Sequence, residues 1–134
     1  MLFRSERSAY VHPWTEVLLG DCLRAGYNCW VQVQNGAIIA YGIMSIGAGE
    51  CHILNICVKP ELHNQGYGSA MLDHLLAVAR EYDAGIAFLE VRQSNHAAQK
   101  IYARAGFNEV GMRSQYYPAL VGREDAIILA RSLV

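Results

Sequence analysis

The sequence predicts an α/β fold built on a mixed sheet, and two observations carry that reading. Three β-prone runs between Cys29 and Val58, separated by short turns, read as an antiparallel meander. The chain then switches to helical periodicity and returns to a second apolar strand, and a helix joining two strands makes them a parallel pair. At 134 residues it forms one domain, 1–134, and is too short for two comfortable cores.

The elements follow in order. Leu2 to Tyr10 reads as a short helix, broken at His12-Pro13-Trp14. Thr15 can cap a second helix through Cys22 or Leu23 that ends near Gly26. Asn35-Gly36 lies between the runs Cys29–Val33 and Ala37–Met44 and is a strong hairpin signal, because both turn residues favour positive φ. A second turn, Gly47 to Glu50, leads into Cys51–Val58, which stops at Lys59-Pro60. From Gly66, the residues Met71, Leu72, Leu75, Leu76, Ala79 and Tyr82 recur at helical spacing until Gly85. Ile86–Val91 is then a buried strand. Asn95 caps a helix whose inward face is Ala98, Ile101, Tyr102 and Ala105, with Gly106 as its stop. Phe107–Met112 and Asp125–Ala130 close the sheet, joined by a long polar and aromatic loop.

Composition excludes several classes. With 53% hydrophobic and 17% charged residues the chain is globular rather than disordered. A net charge of −1 gives no overall basic field for nucleic acid. Cys22, Cys29, Cys51 and Cys57 contain no Cys-x-x-Cys pair and read as reduced structural thiols, with no metal site, in a cytoplasmic protein. No apolar run approaches a membrane span, and the first residues lack the apolar core of a signal peptide.

Three features bear on chemistry. The run Asn64-Gln65-Gly66-Tyr67-Gly68-Ser69 links a strand to a helix start, where orphan N–H groups and the helix dipole attract anions. It is neither a Walker loop nor a Rossmann fingerprint, so it is either a phosphate cradle or a tight turn. Glu90 interrupts an apolar strand. It is either a general base in a cleft or half of an ion pair with Arg92 or another basic neighbour. Tyr102 lies on an inward helix face, by default as core.

Taken with Leu54–Pro60, Leu89–Asn95, Ile101–Phe107, Tyr116-Tyr117-Pro118 and Glu124-Asp125-Ala126, these features resemble the GCN5-related N-acetyltransferases (GNAT), and among them the RimI type. The resemblance covers nearly the whole chain. It implies transfer of acetyl from acetyl-CoA to a protein N-terminal amine, that of the alanine beginning the eighteenth small-subunit ribosomal protein. It also implies that the backbone at Ile56, Cys57 and Val58 holds the pantetheine arm, with the Val58 N–H on the thioester carbonyl. The pyrophosphate would lie on Asn64, Gln65, Gly66, Tyr67, Gly68 and Ser69, with Asn95 as a further cofactor contact. Glu90 matches the family's base and Tyr102 its acid. Tyr116 and Tyr117 match one wall of the peptide groove, and Trp14 the other.

Two departures stand out. His63 replaces the Gln or Arg with which the cofactor loop usually begins. The chain also starts inside what would be the first helix, so the fold is expected to lack its first strand. That would leave Cys29–Val33 as a bare edge open to self-association. Two alternatives remain open at this point: a GNAT enzyme for other N-termini, lysines or small amines, and a non-catalytic acyl-CoA-binding module.

Overall fold

The computed structural model describes residues 2–4, 20, 21, 24, 26–119 and 122–134. Among these residues the strands are β1 (Leu2–Arg4), β2 (Asn28–Gln34), β3 (Ala37–Gly47), β4 (Glu50–Val58), β5 (Ile86–Arg92), β6 (Asn108–Pro118) and β7 (Arg123–Ser132), and the long helices are α1 (Tyr67–Glu81) and α2 (His96–Arg104). They form a seven-stranded sheet in the order β1-β2-β3-β4-β5-β7-β6. The β1–β4 meander is antiparallel, β4 and β5 run parallel, and β7 returns antiparallel between β5 and β6. The predicted mixed sheet is therefore present. The helix expected near Thr15 lies outside the described residues, although Gly20, Asp21 and Arg24 are helical.

The hairpin signals hold for the stated reason. Asn35 and Gly36 have φ of 53° and 78°, and Ala48 and Gly49 repeat the pattern at 53° and 78°. On α1, Met71, Leu72, Leu75, Leu76, Val78 and Ala79 are buried, against Met44, Cys51, Ile53, Ala87 and Leu89 of the sheet. Each large apolar side chain taken out of water there contributes about 1.5–3 kcal/mol. Burial also pushes the Cys51 thiol up to about 11, as expected of a structural cysteine. A second cluster, Cys29, Val31, Val33, Tyr41 and Ile43, includes alternate residues of β2.

Four expectations are corrected. Leu2–Arg4 is a strand, paired Leu2↔Val33, Phe3↔Gln32 and Arg4↔Val31. The free N–H and C=O groups of β2 outweigh a weak local helix preference over so few residues. The first strand is thus present, and Val31–Val33 offers no bare edge for self-association. Tyr82 is 61% exposed and Ile101 39% exposed. Tyr82 is the C-cap of α1, beyond its apolar stripe, and α2 meets the core through Ala98 and Tyr102, with its C-cap Ala105. The long loop after Met112 is instead strand, because β6 continues to Pro118 and β7 begins at Arg123.

Candidate active site

The site begins where the sheet opens. Parallel pairing of β4 with β5 ends at Ile53↔Leu89. Beside that last rung the β3–β4 register shifts, with Met44 opposite Ile53 but Ile43 opposite Asn55, so Leu54 is the extra residue of a bulge. A bulge bends its strand, and here the bend lies where β4 parts from β5. Beyond it, alternation in the antiparallel ladder decides which amides are free. Lys59 N–H bonds Ile39 C=O at 2.9 Å, so Val58 and Ala40 form a non-hydrogen-bonded pair. By the same alternation, the N–H groups of Ile56 and Val58 point away from β3 toward the opening, and those of Cys57 point at Tyr41.

Glu90 stands at the mouth of this opening. Two adjoining cavities of about 250 and 230 Å³ flank it. One is lined by His52, Leu54, Phe88, Arg113 and Tyr116, and the other by Asn55, Ile56, Asn95, Ala98 and Tyr102. Leu54, Glu90 and Tyr117 line both. The splay brings a carboxylate on the sheet face away from Leu89 and Val91 into the same cavity as a phenol on α2. The Glu90 side chain is 23% exposed, and its Oε1 receives Arg113 Nε at 3.1 Å. The ion pair weighed from sequence therefore exists, with Arg113 in place of Arg92. Arg113 comes from β6, two strands away, and only Ala126 stands between Arg92 and Arg113 in the register.

Tyr102 packs edge-on to Phe107, with ring centres 5.9 Å apart. Burial, and secondarily Tyr117, hold its phenol above the ordinary tyrosine value. Burial, then Glu90 and Tyr116, do the same for Tyr117, against the opposing charges of Arg92 and Arg113. Tyr116 and Tyr117 pack edge to face at 4.9 Å, and each lies under a guanidinium, Arg113 at 5.3 Å and Arg92 at 4.4 Å.

The segment Arg123-Glu124-Asp125 holds this aromatic wall. Gln115 sits at φ 51° in a register shift of β6. Its N–H donates to Asp125 Oδ1 at 2.8 Å, and its C=O accepts from Arg123 Nε at 2.6 Å. Arg123 Nη2 also donates to the Tyr116 carbonyl at 2.8 Å. Glu124 accepts from Ser94 N–H at 2.6 Å and pairs with Arg92 at 3.5 Å. Arg92 in turn donates to the Pro118 carbonyl at 2.8 Å. The sequence showed these charges without their partners, because each reaches across a strand pairing that only the fold defines.

The loop after β4 turns through Asn64 (φ 63°) and Gly66 (φ 86°) into α1. The first backward bond, Ala70 N–H to Gly66 C=O, is 3.0 Å. Gly66 makes no side-chain cap, and no acidic residue lies in the first turn. The amides of Tyr67, Gly68 and Ser69 thus head a helix whose dipole is not offset by a carboxylate. His63 turns its Nε2 to the Val58 carbonyl at 3.0 Å, tying the loop to the end of β4. Asn95 caps α2 by accepting from Ala98 N–H at 3.1 Å. Trp14, expected on the opposite wall, lies outside the described residues.

Known proteins resemble this chain in sequence and fold. The acetyltransferase (GNAT) family model matches residues 1–107. An Escherichia coli (strain K12) protein named [ribosomal protein bS18]-alanine N-acetyltransferase is 38% identical over 128 residues, which is 96% of this chain and 86% of its own. The crystal structure of the ribosomal-protein-S18-alanine N-acetyltransferase from Escherichia coli superposes with a TM-score of 0.84 at 33% identity, over 98% of this chain and 93% of that one. An Elizabethkingia anophelis GNAT-family acetyltransferase with acetyl-CoA bound shares the fold, with a TM-score of 0.82 at 16% identity over 98% and 97% of the two chains. On the family match and the identity to these relatives, the chain belongs to the acetyltransferase (GNAT) family.

Proposed function

We propose that this enzyme moves acetyl from acetyl-CoA to the N-terminal alanine of the small-subunit ribosomal protein that its relatives modify, in the cytoplasm. The observation that carries the reading is Glu90 at the junction of two cavities, one reaching Tyr102 and the opened strand β4, the other reaching the Tyr116–Tyr117 wall. The residues suit acetyl-CoA. The Ile56 and Val58 amides face the opening, and the N-terminus of α1 has no side-chain cap and no acid in its first turn. When bound, acetyl-CoA supplies an activated thioester.

The chain supplies the rest. The Ile56 and Val58 amides take the pantetheine arm, and the Val58 N–H polarises the thioester carbonyl. Cys57 contributes little through its own N–H, which is directed at Tyr41. Residues Asn64–Ser69 hold the pyrophosphate, and Asn95, its oxygen spent on the cap, offers its Nδ2. The acceptor enters along Tyr116 and Tyr117. Its nitrogen attacks the carbonyl carbon, the carbon–sulfur bond breaks, Glu90 accepts the amine proton and Tyr102 protonates the departing thiolate. An α-amine loses its proton near 7.7–8.0, so Glu90 has only modest work to do.

Acetyl transfer to an alanine-initiated peptide by wild type, Glu90→Gln and Tyr102→Phe tests the assignment. Both variants are expected to lose about 10²-fold or more in kcat. Undiminished turnover in both would remove the roles given to Glu90 and Tyr102, absence of transfer by the wild type would return the chain to a non-catalytic acyl-CoA-binding role, and equal turnover on unrelated lysines and small amines would remove the N-terminal assignment.

A further inference from the structure

We infer that Arg113 is a positioning residue that neutralises Glu90 in advance, so that the site does not stabilise a protonated acceptor and favours α-amines over lysines. This rests on Glu90 being the base. The supporting observation is the 3.1 Å pair between Arg113 Nε and Glu90 Oε1 on the wall of the cavity that holds Tyr116. A bare carboxylate would capture an incoming ammonium as an ion pair, holding the nitrogen in the form that cannot attack. With Arg113 in place the ammonium must break an existing pair or share its carboxylate with a second cation. The bound amine then gives up its proton more readily. An α-amine tolerates this, because its ordinary value near 7.7–8.0 is already close to neutrality, whereas a lysine near 10.4 does not.

Other charged groups face the same space. His52, paired with Glu50 at 3.6 Å, comes from β4. Tyr116 and Tyr117 come from β6, and Arg92 lies over Tyr117 from β5. Among the described residues it is Arg113 that pairs with the carboxylate, and its guanidinium also lies 5.3 Å from the centre of the Tyr116 ring.

The two kinetic parameters read different states. The pH dependence of kcat reports groups in the bound complex, whereas that of kcat/KM reports the free amine and free enzyme. In Arg113→Met the acid limb of kcat for an alanine-initiated peptide is expected to move to higher pH by about one unit. At pH 7, kcat and KM fall together by about tenfold while kcat/KM changes little. At a pH above the amine's own value, kcat returns toward wild type. A lysine-bearing peptide with a blocked N-terminus becomes a tighter competitive inhibitor. Arg113→Lys, which keeps the charge, restores the wild-type limb. His52→Gln in both backgrounds leaves the displacement unchanged if the limb belongs to the amine.

A kcat limb that coincides in wild type and Arg113→Met, or a loss of kcat equal at every pH, overturns the inference. Should Arg113→Met fail to fold, Arg113→Gln compared with Arg113→Lys gives the same contrast. Impaired Glu90→Gln beside an unmoved limb removes this inference alone. Unimpaired Glu90→Gln removes the reading beneath it.

Discussion

The Arg92 guanidinium lies 4.4 Å from the centre of the Tyr117 ring, with one nitrogen on the Pro118 carbonyl and the same nitrogen 3.5 Å from Glu124. Glu124 also accepts the Ser94 N–H at 2.6 Å, one residue before the cap of α2. One carboxylate thus links the aromatic wall to the helix that carries Tyr102. Glu124→Ala is expected to raise the KM of an acceptor peptide about tenfold through misplacement of Tyr117. Glu124→Gln, which keeps an acceptor for Ser94, should lie between this variant and wild type. Steady-state kinetics on peptide and acetyl-CoA separately would check it, and equal KM values in all three proteins would refute the link.

The same residue predicts a pH effect. Hydrogen bonds from Ser94, followed by the charge of Arg92, hold the Glu124 carboxyl below the ordinary glutamate value. A carboxyl depressed in the folded state stabilises the fold above its unfolded value, and that contribution is lost as pH falls through the folded value. Urea unfolding from neutral pH down through the carboxylate range should therefore show a decline in stability that is shallower in Glu124→Gln.

Tyr102 leads to a prediction at the opposite end of the scale. Its phenol is held above the ordinary value chiefly by burial, so it still carries its proton at the pH, near 7.7–8.0, where the acceptor amine becomes neutral. Activity should show no alkaline loss below about pH 10 that disappears in Tyr102→Phe. If the wild type has such a limb near pH 8 and Tyr102→Phe lacks it, a different ionisation state is required. Because a raised folded value stabilises the fold until pH climbs through it, Tyr102→Phe should also resist alkaline unfolding better than wild type.

How far the site could be read from sequence depends on what each residue answers to. Asn35-Gly36, the α1 stripe from Met71 to Ala79 and the Asn95 cap are local signals, and each appears where its spacing placed it, whereas Tyr82 falls past the end of the helix. Glu90 was conspicuous because a carboxylate in an apolar strand needs a partner or a cleft, and it has both. Its partner was not legible, since Arg113 becomes its neighbour only when β7 inserts between β5 and β6. The bulge at Leu54 carries no Gly or Pro marker, so the opening of the sheet was equally hidden. Leu2–Arg4 is ambiguous in sequence because three residues say little alone, and pairing with β2 decides their state.

Gly42 ties the stability of the sheet to the placement of α1. A Cβ there would meet Leu75 Cδ1 at 2.8 Å and Met71 Cγ and Sδ at 3.0 Å, and both side chains are fully buried. Gly42→Ala is expected to cost about 1–3 kcal/mol by overpacking, seen as a lower urea midpoint with an unchanged slope. Any part of the strain relieved by displacing α1 should also appear as weaker acetyl-CoA binding. Wild-type stability in Gly42→Ala would mean that helix and sheet are less tightly opposed than these distances indicate.

Gly66 and Gly68 sit two apart in the sequence but are under different constraints. Gly66 has φ 86°, and a Cβ there would meet nothing within 4 Å, so an alanine would be opposed by backbone conformation alone, about 1–2 kcal/mol. Asparagine visits this region more readily, as Asn64 does at φ 63°, so Gly66→Asn should be milder than Gly66→Ala. Gly68 is inside the first turn of α1, and a Cβ there would make only ordinary contact with Val58 Cγ2 at 3.9 Å. Without ligand, Gly68→Ala should stabilise the fold by up to about 1 kcal/mol, because alanine is the better helix former. If the pyrophosphate lies against these amides, the same added methyl crowds it, and the KM for acetyl-CoA rises several-fold while the acceptor KM stays constant. A more stable protein that binds acetyl-CoA less well is the combination expected of Gly68→Ala. Greater stability with unchanged affinity would place the pyrophosphate elsewhere.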